Sequence, residues 1–542
     1  MQGMYHPISV QLTESSDTAA TKPPGGRLLC LLFLCSAVVL ALCGSFVDWT
    51  TVFVNGMRET LNDQVGYISV ARNLAESGRM ESDIIYPSTL PGSSNKNYLY
   101  LPGHYLALAA VYKLFGYTPA HSFWPSLAAF LLSAVLTAVI ATALLGRSLA
   151  VSSWALFVFF PFNLAYAFTA MAEMTVTASV LAALALFLAI PPKWKAWLGP
   201  ITLAIPLLFR ETGVVIAVVM AAVIYKESGG RWVPVARFCL LTLLVTALML
   251  MSPVARGRGR STMLQNEVLG ASDTAVIADA AFASTQQPGA EDWAAGIWKK
   301  MVRNTKQLCA GRFSRPHPDL LEEFGLYFLV SGIPLALWLW LRTRDAVYFS
   351  VFLMCGGLLL AVLGLNQVWS LRGVRALLLT QPFVALLWSK VLRDRWENLP
   401  RNRALAGLAA ALWVGFGIVS VHRVFASESQ LNRRSAKDTA FLESLQPDNL
   451  ELLVSPFGMS LDFVLKHHPA KWAFIPANDA TLRLLDHKYP IGTLVLRDAN
   501  ARSLNPAVIA SLGLIQEADR YYRKQKIEIY KRAVAEPATI QR

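Results

Sequence analysis

The stretch LLCLLFLCSAVVLALCGSFV, residues 28–47, contains no charged side chain. A helix of about 20 residues is long enough to cross the roughly 30 Å hydrocarbon core of a bilayer. A secretory signal peptide is the competing interpretation, but the apolar run is too long for one and it follows a polar tail, residues 1–27. The stretch therefore predicts a transmembrane helix.

The rest of the chain repeats this pattern. Of its 542 residues, 54% are hydrophobic and only 15% are charged, whereas a soluble globular chain has about 25% charged residues. The short apolar runs between residues 149 and 225 adjoin one another, so the number of spans depends mainly on how they are divided. The apolar runs predict about eleven spans, near residues 28–47, 122–146, 149–168, 174–190, 196–209, 213–225, 237–255, 325–341, 346–365, 376–391 and 404–422.

The positions of the positive charges predict the orientation of these spans. The net charge is +14, but the basic residues cluster at the ends of apolar runs, which is a membrane topology signal; we expect no nucleic acid partner. Lys and Arg favour the cytoplasmic side. An N-terminus in the cytoplasm places every short basic loop on that side, at residues 147, 193–195, 226–231, 342–344 and 390–403.

This orientation divides the chain into three predicted parts. Residues 1–26 form a cytoplasmic tail, residues 27–423 form the transmembrane domain, and residues 424–542 form an exterior soluble domain. Two large loops of the transmembrane domain, residues 48–121 and 256–324, also lie outside.

The last part of the chain changes character. Short β-type runs at 451–455, 471–475, 493–497 and 527–530 alternate with helical stretches, which predicts a small α/β domain. The predicted fold is therefore a mainly α, polytopic transmembrane helical bundle with a small C-terminal α/β domain outside the membrane.

The first large loop carries two predicted helices. In LNDQVGYISVARNLAESGRM, residues 61–80, Asn62 or Asp63 can cap a helix, apolar residues follow at helical spacing, and Gly78 supplies the left-handed residue that ends it. In YLYLPGHYLALAAVYKLFG, residues 98–116, a tyrosine-rich helix begins near Pro102 and ends at Gly116. Tyrosines of this kind sit at headgroup depth. Both helices are predicted to lie flat on the exterior surface.

The order of these elements resembles the GT-C superfamily of membrane glycosyltransferases: a first span is followed by an exterior loop that carries an acidic residue and these two helices. Among bacterial members the pattern is similar to protein O-mannosyltransferases and to the lipid A aminoarabinose transferase. The resemblance is most specific over residues 28–116 and extends to about residue 390. There, FRETG (209–213) resembles the family's Arg-x-x-Gly turn, and QVWSLRGVRALLLTQPFVALL (367–387) resembles its Arg-rich run into a late span.

The resemblance implies inverting transfer of a sugar from a polyprenyl-phosphate carrier to a glycan, lipid or protein acceptor, on the non-cytoplasmic face of a bacterial-type inner membrane. Asp63 matches the loop aspartate that acts as general base, and Glu173 resembles an acidic residue often found at the start of a span. A phosphate leaving group departs without strong protonation, whereas the acceptor needs a base. Because Asn62 and Gln64, not a second acid, flank Asp63, we expect no metal and no other cofactor.

The carrier phosphate needs cations. Arg372 and Arg375, at a predicted exterior span boundary, could supply bidentate contacts. Arg210 is a third candidate, since a charge at membrane depth normally faces a cavity or a partner. The predicted donor or acceptor pocket comprises Tyr67, Tyr100, His104 and Tyr105.

Each of these residues also has a structural interpretation. Asp63 could be a helix cap and nothing more. Arg210 could form an ion pair with Glu211, and Glu173 could sit at a water-exposed interface. The remaining candidates could be interfacial anchors (Arg372, Arg375) or headgroup-level packing (His104, Tyr105).

Two other functions remain as alternatives. A transporter or flippase of lipid-linked sugars would show paired half-repeats and broken helices, and the sequence shows no such symmetry. An O-antigen ligase or polymerase would place its key arginines and histidine in a late exterior loop, whereas here the organised helices follow the first span. The glycosyltransferase is therefore the preferred hypothesis.

Overall fold

The computed structural model describes a large part of the chain, including the backbone but not the side chain of Asp63. The described residues are 25–47, 61–85, 100–118, 120–252, 295, 298–299, 301–306, 320–364, 375, 377–397, 403–445, 452–455, 471–474, 476, 478–497, 504–522 and 525–533. Their α-helices are α1 Gly26–Ser45, α2 Leu61–Ser77, α3 Pro102–Phe115, α4 Trp124–Leu145, α5 Ala150–Val158, α6 Pro161–Ala167, α7 Glu173–Ala189, α8 Pro192–Thr202, α9 Ala204–Phe209, α10 Ala217–Glu227, α11 Trp232–Met251, α12 Leu320–Thr343, α13 Ala346–Gly364, α14 Gln381–Glu397, α15 Arg403–Glu443, α16 Asp479–Lys488 and α17 Pro506–Ser511.

Several of these helices can cross a membrane, and the chain is a multi-pass membrane protein. Within the described residues, six segments are long and apolar enough: Gly26–Ser45, Ala120–Leu145, Trp232–Met251, Phe324–Thr343, Ala346–Leu363 and Gly407–Ala426. The bent pair α5 and α6 makes seven if it is one span. The predicted number of about eleven is not confirmed, because apolar runs such as 149–168 and 196–209 fold as shorter helices separated by breaks.

The bend between α5 and α6 is 64°. Pro161 begins α6 and has no backbone N–H, so it interrupts the helical hydrogen bonds. The side-chain amide of Asn163 donates to the carbonyl of Phe157 (2.9 Å) and to Oε1 of Gln381 (3.0 Å). Gln381 in turn donates to the carbonyl of Leu156 (3.0 Å). These amides satisfy carbonyls freed by the break, as a low-dielectric environment requires.

The two predicted surface helices of the first loop are confirmed as helices. α2 ends where predicted, because Gly78 follows it with φ of +70°, and α3 begins at Pro102 and ends before Gly116, whose φ is +87°. α2 and α3 pack against each other. They therefore form one unit beside the bundle.

A six-stranded sheet includes all four predicted C-terminal strands. Its strands are β1 Ile84–Ile85, β2 Leu452–Ser455, β3 Trp472–Phe474, β4 Ile491–Arg497, β5 Leu514–Tyr522 and β6 Gln525–Arg532. Their order is β1-β3-β2-β4-β6-β5; the first four are parallel, and β6 runs antiparallel to both β4 and β5. β2, β3, β4 and β6 match the predicted runs. β5 is an additional C-terminal strand, and β1 comes from the first loop.

α15 connects the bundle to the part of the chain that carries this sheet. It is one continuous helix of 41 residues, although only its segment Gly407–Ala426 is apolar enough to span. The helix crosses residue 424, where the sequence predicts that the soluble tail starts. Leu442 and Leu445, near its end, are buried in the main apolar core.

Candidate functional site

A buried carboxylate at the start of α7 pairs with two arginines from other parts of the chain. Glu173 is the first residue of α7 and is 3% exposed, so the water-exposed interpretation of Glu173 is wrong. Its Oε1 accepts a hydrogen bond from Nε of Arg375 and lies 3.3 Å from Nη1 of Arg210. Both arginine side chains are largely buried as well. Three of the predicted site residues therefore form one ion cluster.

A break between two helices brings Arg210 to this cluster. α9 ends at Phe209, and a 3-10 helix follows over Glu211–Ile216. Arg210 itself has extended backbone (φ −159°), and its carbonyl accepts a hydrogen bond from the N–H of Gly213 (3.0 Å). The FRETG motif thus forms a turn, and Arg210 pairs with Glu173.

The turn before Glu173 is held by residues from both α2 and α3. Gln64 of α2 accepts a hydrogen bond through Oε1 from the N–H of Ala170 (3.0 Å). The carbonyl of Ala170 contacts Nε2 of His104 in α3 (3.0 Å), and Nδ1 of His104 contacts the hydroxyl of Thr175 (3.0 Å). The first loop is therefore hydrogen-bonded directly to the segment that places Glu173.

The partners of His104 indicate where its ring carries a proton. A carbonyl can only accept, so Nε2 of His104 carries the proton that is donated to Ala170. Nδ1 lies 3.0 Å from the hydroxyl of Thr175, which itself donates to the carbonyl of Ala172 (2.9 Å). Burial lowers the pKa of His104 to about 4, while the hydrogen bond to Ala170 and the charge of Glu173 act in the opposite direction. His104 is therefore neutral near pH 7.

This lowered pKa predicts a pH dependence of stability. Between pH 6.5 and pH 4 the unfolded chain binds a proton at residue 104 that the folded chain does not. The contribution of neutral His104 to the free energy of unfolding is therefore fully present above pH 6.5. It is lost as pH falls, by on the order of 3 kcal/mol near pH 4. We expect His104→Gln to flatten this part of the profile in denaturation titrations of the purified protein. The same loss in the variant as in the wild type would contradict the assignment.

Tyr67 packs among the other predicted pocket residues. Its ring stacks on Tyr100 with centroids 4.8 Å apart, meets His104 edge-on at 4.8 Å and lies 5.3 Å from Tyr105. The hydroxyl of Tyr105 accepts a hydrogen bond from the backbone N–H of Tyr100 (3.1 Å). Tyr67, His104 and Tyr105 are fully buried, whereas Tyr100 is half-buried. Three of the four predicted pocket residues are therefore shielded from solvent, and Tyr100 is partly exposed to it.

The aromatic group adjoins the ion cluster. Burial is the main cause that raises the pKa of the Tyr67 phenol, and the charges of Arg210 and Glu173 act on it in opposite directions. The phenol therefore stays neutral and can donate a hydrogen bond. The structure brings together seven predicted residues: Tyr67, Tyr100, His104, Tyr105, Glu173, Arg210 and Arg375.

Two predicted residues fall outside this description. Asp63 lies in the first turn of α2, next to Gln64, but its side chain is outside the described part, and Arg372 lies outside the described residues altogether. Sequence reasoning missed Gln64 and Thr175. Each adjoins or nearly adjoins a predicted acid, Asp63 or Glu173, and that proximity is the signal that could have identified them.

No metal-binding group is evident among the described side chains. They include no group of three or more His, Cys, Asp or Glu residues that could hold a metal ion. Because the Asp63 side chain is not among them, the expectation of a metal-free site stays a prediction.

The comparisons with known proteins concern the fold. No protein-family model matches the sequence, and a search of curated proteins finds no match. The structure is similar to the Archaeoglobus fulgidus oligosaccharyltransferase in its apo form, with a TM-score of 0.53 and 13% identity over 87% of this chain and 70% of that one. It is also similar to AglB from A. fulgidus in complex with an inhibitory peptide and a dolichol-phosphate. The TM-score is 0.54, with 12% identity over 93% of this chain and 74% of that one. ArnT from Cupriavidus metallidurans in the apo state gives a TM-score of 0.41 with 12% identity over 93% of this chain and 98% of that one.

The two oligosaccharyltransferase structures establish the fold class. At TM-scores above 0.5 they share their architecture with this chain, so the chain has the fold of the GT-C superfamily, as the sequence resemblance implies. The identities are too low to carry activity or substrate across.

Proposed function

We propose that this protein is a membrane glycosyltransferase that moves a sugar from a polyprenyl-phosphate carrier to an acceptor on the non-cytoplasmic face of the membrane. The supporting observation is the buried cluster of Glu173, Arg210 and Arg375 beside helices α2 and α3 in a chain with the GT-C fold. The similar AglB structure contains a dolichol-phosphate, which is a carrier of the proposed class.

The arginines of the cluster support a phosphate ligand. The carboxylate of Glu173 contacts both guanidinium groups, which are largely buried. Arginine presents several donors in a planar fork that matches phosphate oxygens. We infer that Arg210 and Arg375 bind the carrier phosphate, and that Arg372, three residues earlier, contributes to the same site.

The role of Glu173 follows from its two oxygens. Oε1 accepts from Arg375 and pairs with Arg210, so it fixes the orientation of both guanidinium groups before a ligand arrives. Oε2 is buried and has no hydrogen-bond partner among the described residues. We infer that Oε2 contacts a hydroxyl of the substrate, which would give Glu173 a direct part in the site.

Asp63 is the proposed general base. It lies one residue before Gln64, which is hydrogen-bonded to the turn that carries Glu173. A base at this position would remove the proton of the acceptor as its oxygen or nitrogen attacks the anomeric carbon. The polyprenyl phosphate leaves on the opposite side, held by the arginines, and the anomeric configuration inverts. Tyr100, half-buried at the edge of the aromatic group, is the proposed contact for the sugar or acceptor.

The test combines a genetic and a biochemical comparison. Mass spectrometry of surface glycans, lipids and proteins from a strain lacking this protein should show the loss of one sugar substituent, which the wild-type gene restores. The purified protein should then transfer that sugar from its polyprenyl-phosphate form to the identified acceptor and release polyprenyl phosphate. Proteoliposomes that move the intact lipid-linked sugar across the bilayer without cleaving it would instead indicate a flippase.

A further inference from the structure

The first loop contributes an edge strand to the C-terminal sheet. β1 pairs in parallel with β3, with Ile84 opposite Trp472 and Ile85 opposite Ala473. The backbone N–H of Trp472 also donates to the carbonyl of Asp83 (2.9 Å). A segment that follows α2 by a few residues is thus part of a sheet built otherwise from residues 452–532.

Asp83 joins this strand to α2. Its Oδ2 accepts hydrogen bonds from the amide of Asn73 (3.1 Å) and from the hydroxyl of Ser69 (3.3 Å), while its backbone N–H donates to that hydroxyl (2.8 Å). Ser69 and Asn73 are four residues apart, so they lie on one face of α2. The amide of Asn73 also donates to the carbonyl of Glu81 (2.9 Å). One carboxylate therefore connects a helix face with the edge of the sheet.

α2 is attached at its other end to the site. Gln64, in its first part, is hydrogen-bonded to Ala170 in the turn before Glu173. Between the two attachments, Val65 and Ile68 are buried in the main apolar core, which also contains Trp472 of β3. A helix held at two points and packed between them has little freedom to shift, so the sheet and the site share one rigid connection through α2.

We propose that Asp83 is a positioning residue, which couples the C-terminal sheet to α2 and thereby sets the placement of Asp63. The inference deepens the proposed function and rests on it. It gives the C-terminal sheet a role in the transfer step: displacing the sheet would displace the base. Misplacing a reacting group by about 1 Å can lower a rate by about 10²-fold, so a small movement at this connection is enough to control turnover.

The coupling is tested by hydrogen exchange in the full-length protein in detergent. Asp83→Ala removes the acceptor for Ser69 and Asn73, and Ser69→Ala is a milder second variant. We expect the amides of α2 and the amide of Trp472 to exchange at least about tenfold faster in both variants, because local opening exposes them. Glu76→Gln is the matched control; Glu76 lies on the same helix and pairs with Arg72 of that helix. Wild-type exchange in both Asp83→Ala and Ser69→Ala would overturn the coupling.

Turnover separates positioning from structure alone. We expect Asp83→Ala to lower the transfer rate at saturating donor by at least about tenfold and to leave the dissociation constant for polyprenyl phosphate unchanged, because the ion pairs of Arg210 and Arg375 with Glu173 stay in place. Asp83→Asn keeps one acceptor oxygen and should recover part of the rate. Faster exchange with an unchanged rate, or equal losses of rate and carrier binding, would overturn the positioning role. Absence of transfer by the wild-type protein would instead refute the proposed function, and the exchange result would still decide the coupling.

Discussion

Replacing Asp63 with Asn is expected to reduce sugar transfer by about 10²- to 10⁴-fold, the usual contribution of a general base. Asparagine has nearly the same shape as aspartate but cannot accept a proton. Without a base, the acceptor must attack while still protonated. Insertion into the membrane and binding of polyprenyl phosphate should remain at wild-type levels, because the proposed phosphate ligands are arginines on other elements.

The structural interpretation of Asp63 predicts a much smaller effect. An acid in the first turn of a helix stabilises it by about 0.3–1 kcal/mol through the helix dipole, and asparagine is itself a good capping residue. A loss of that size would not change the folded fraction noticeably. Activity and stability measured on one preparation therefore distinguish a base from a cap.

The measurement is the initial transfer rate of purified Asp63→Asn, with the acceptor identified from the deletion strain. Glu76→Gln, which neutralises another acid of α2, serves as the control and should transfer at the wild-type rate. A rate for Asp63→Asn within a factor of about two of wild type would remove this residue from the chemistry.

The sequence predicted the parts of the fold that depend on local signals. Gly78, Pro102 and Gly116 mark the helix ends found in α2 and α3, because glycine readily adopts the positive φ that ends a helix and proline fixes its own φ at a helix start. The turn at FRETG and the position of Glu173 at a helix start were expected from the resemblance to the GT-C superfamily. Four C-terminal strands were recognised from their short β-type runs, and two of them, β2 and β4, are buried over most of their length.

The rest depends on contacts between distant segments. β1 is only two residues long, and nothing in Ile84–Ile85 itself specifies a strand; pairing with β3 does. The partner of Arg210 is Glu173, whereas proximity along the chain favoured Glu211. The division of residues 149–225 into spans is also decided by packing, since side chains such as Asn163 and Gln381 stabilise a bend that no apolar count can show.

Replacing Glu173 with Gln is expected to destabilise the protein by about 3–5 kcal/mol, because removing one partner of a buried ion pair leaves the other charge uncompensated. Here one carboxylate, whose side chain is 1% exposed, serves two buried arginines. A glutamine oxygen can still accept one hydrogen bond, but it brings no charge. Since typical proteins unfold at a cost of about 5–15 kcal/mol, this is a large fraction of the total.

A second ion pair provides the control. Lys226 and Asp345 form an ion pair whose side chains are 60% and 25% exposed, so water can solvate the lysine when Asp345→Asn removes the charge. We expect that loss to be about 1 kcal/mol or less. Adding Arg375→Met to Glu173→Gln should restore part of the stability, because it removes one of the two arginine charges that the carboxylate neutralises in the wild type. Denaturation of purified variants in mixed micelles measures all three.

Transfer measured at a temperature where Glu173→Gln remains folded then separates the two roles of this carboxylate. If Oε1 orients Arg210 and Arg375 for the carrier phosphate, the folded variant should still lose transfer by about 10²-fold, the effect of misplacing a reacting group by about 1 Å. The double variant should regain stability without regaining transfer, since the methionine side chain offers no hydrogen-bond donor to a phosphate. A folded Glu173→Gln protein that transfers at the wild-type rate would reduce the cluster to a structural ion pair and return the phosphate site to Arg372 or to other residues.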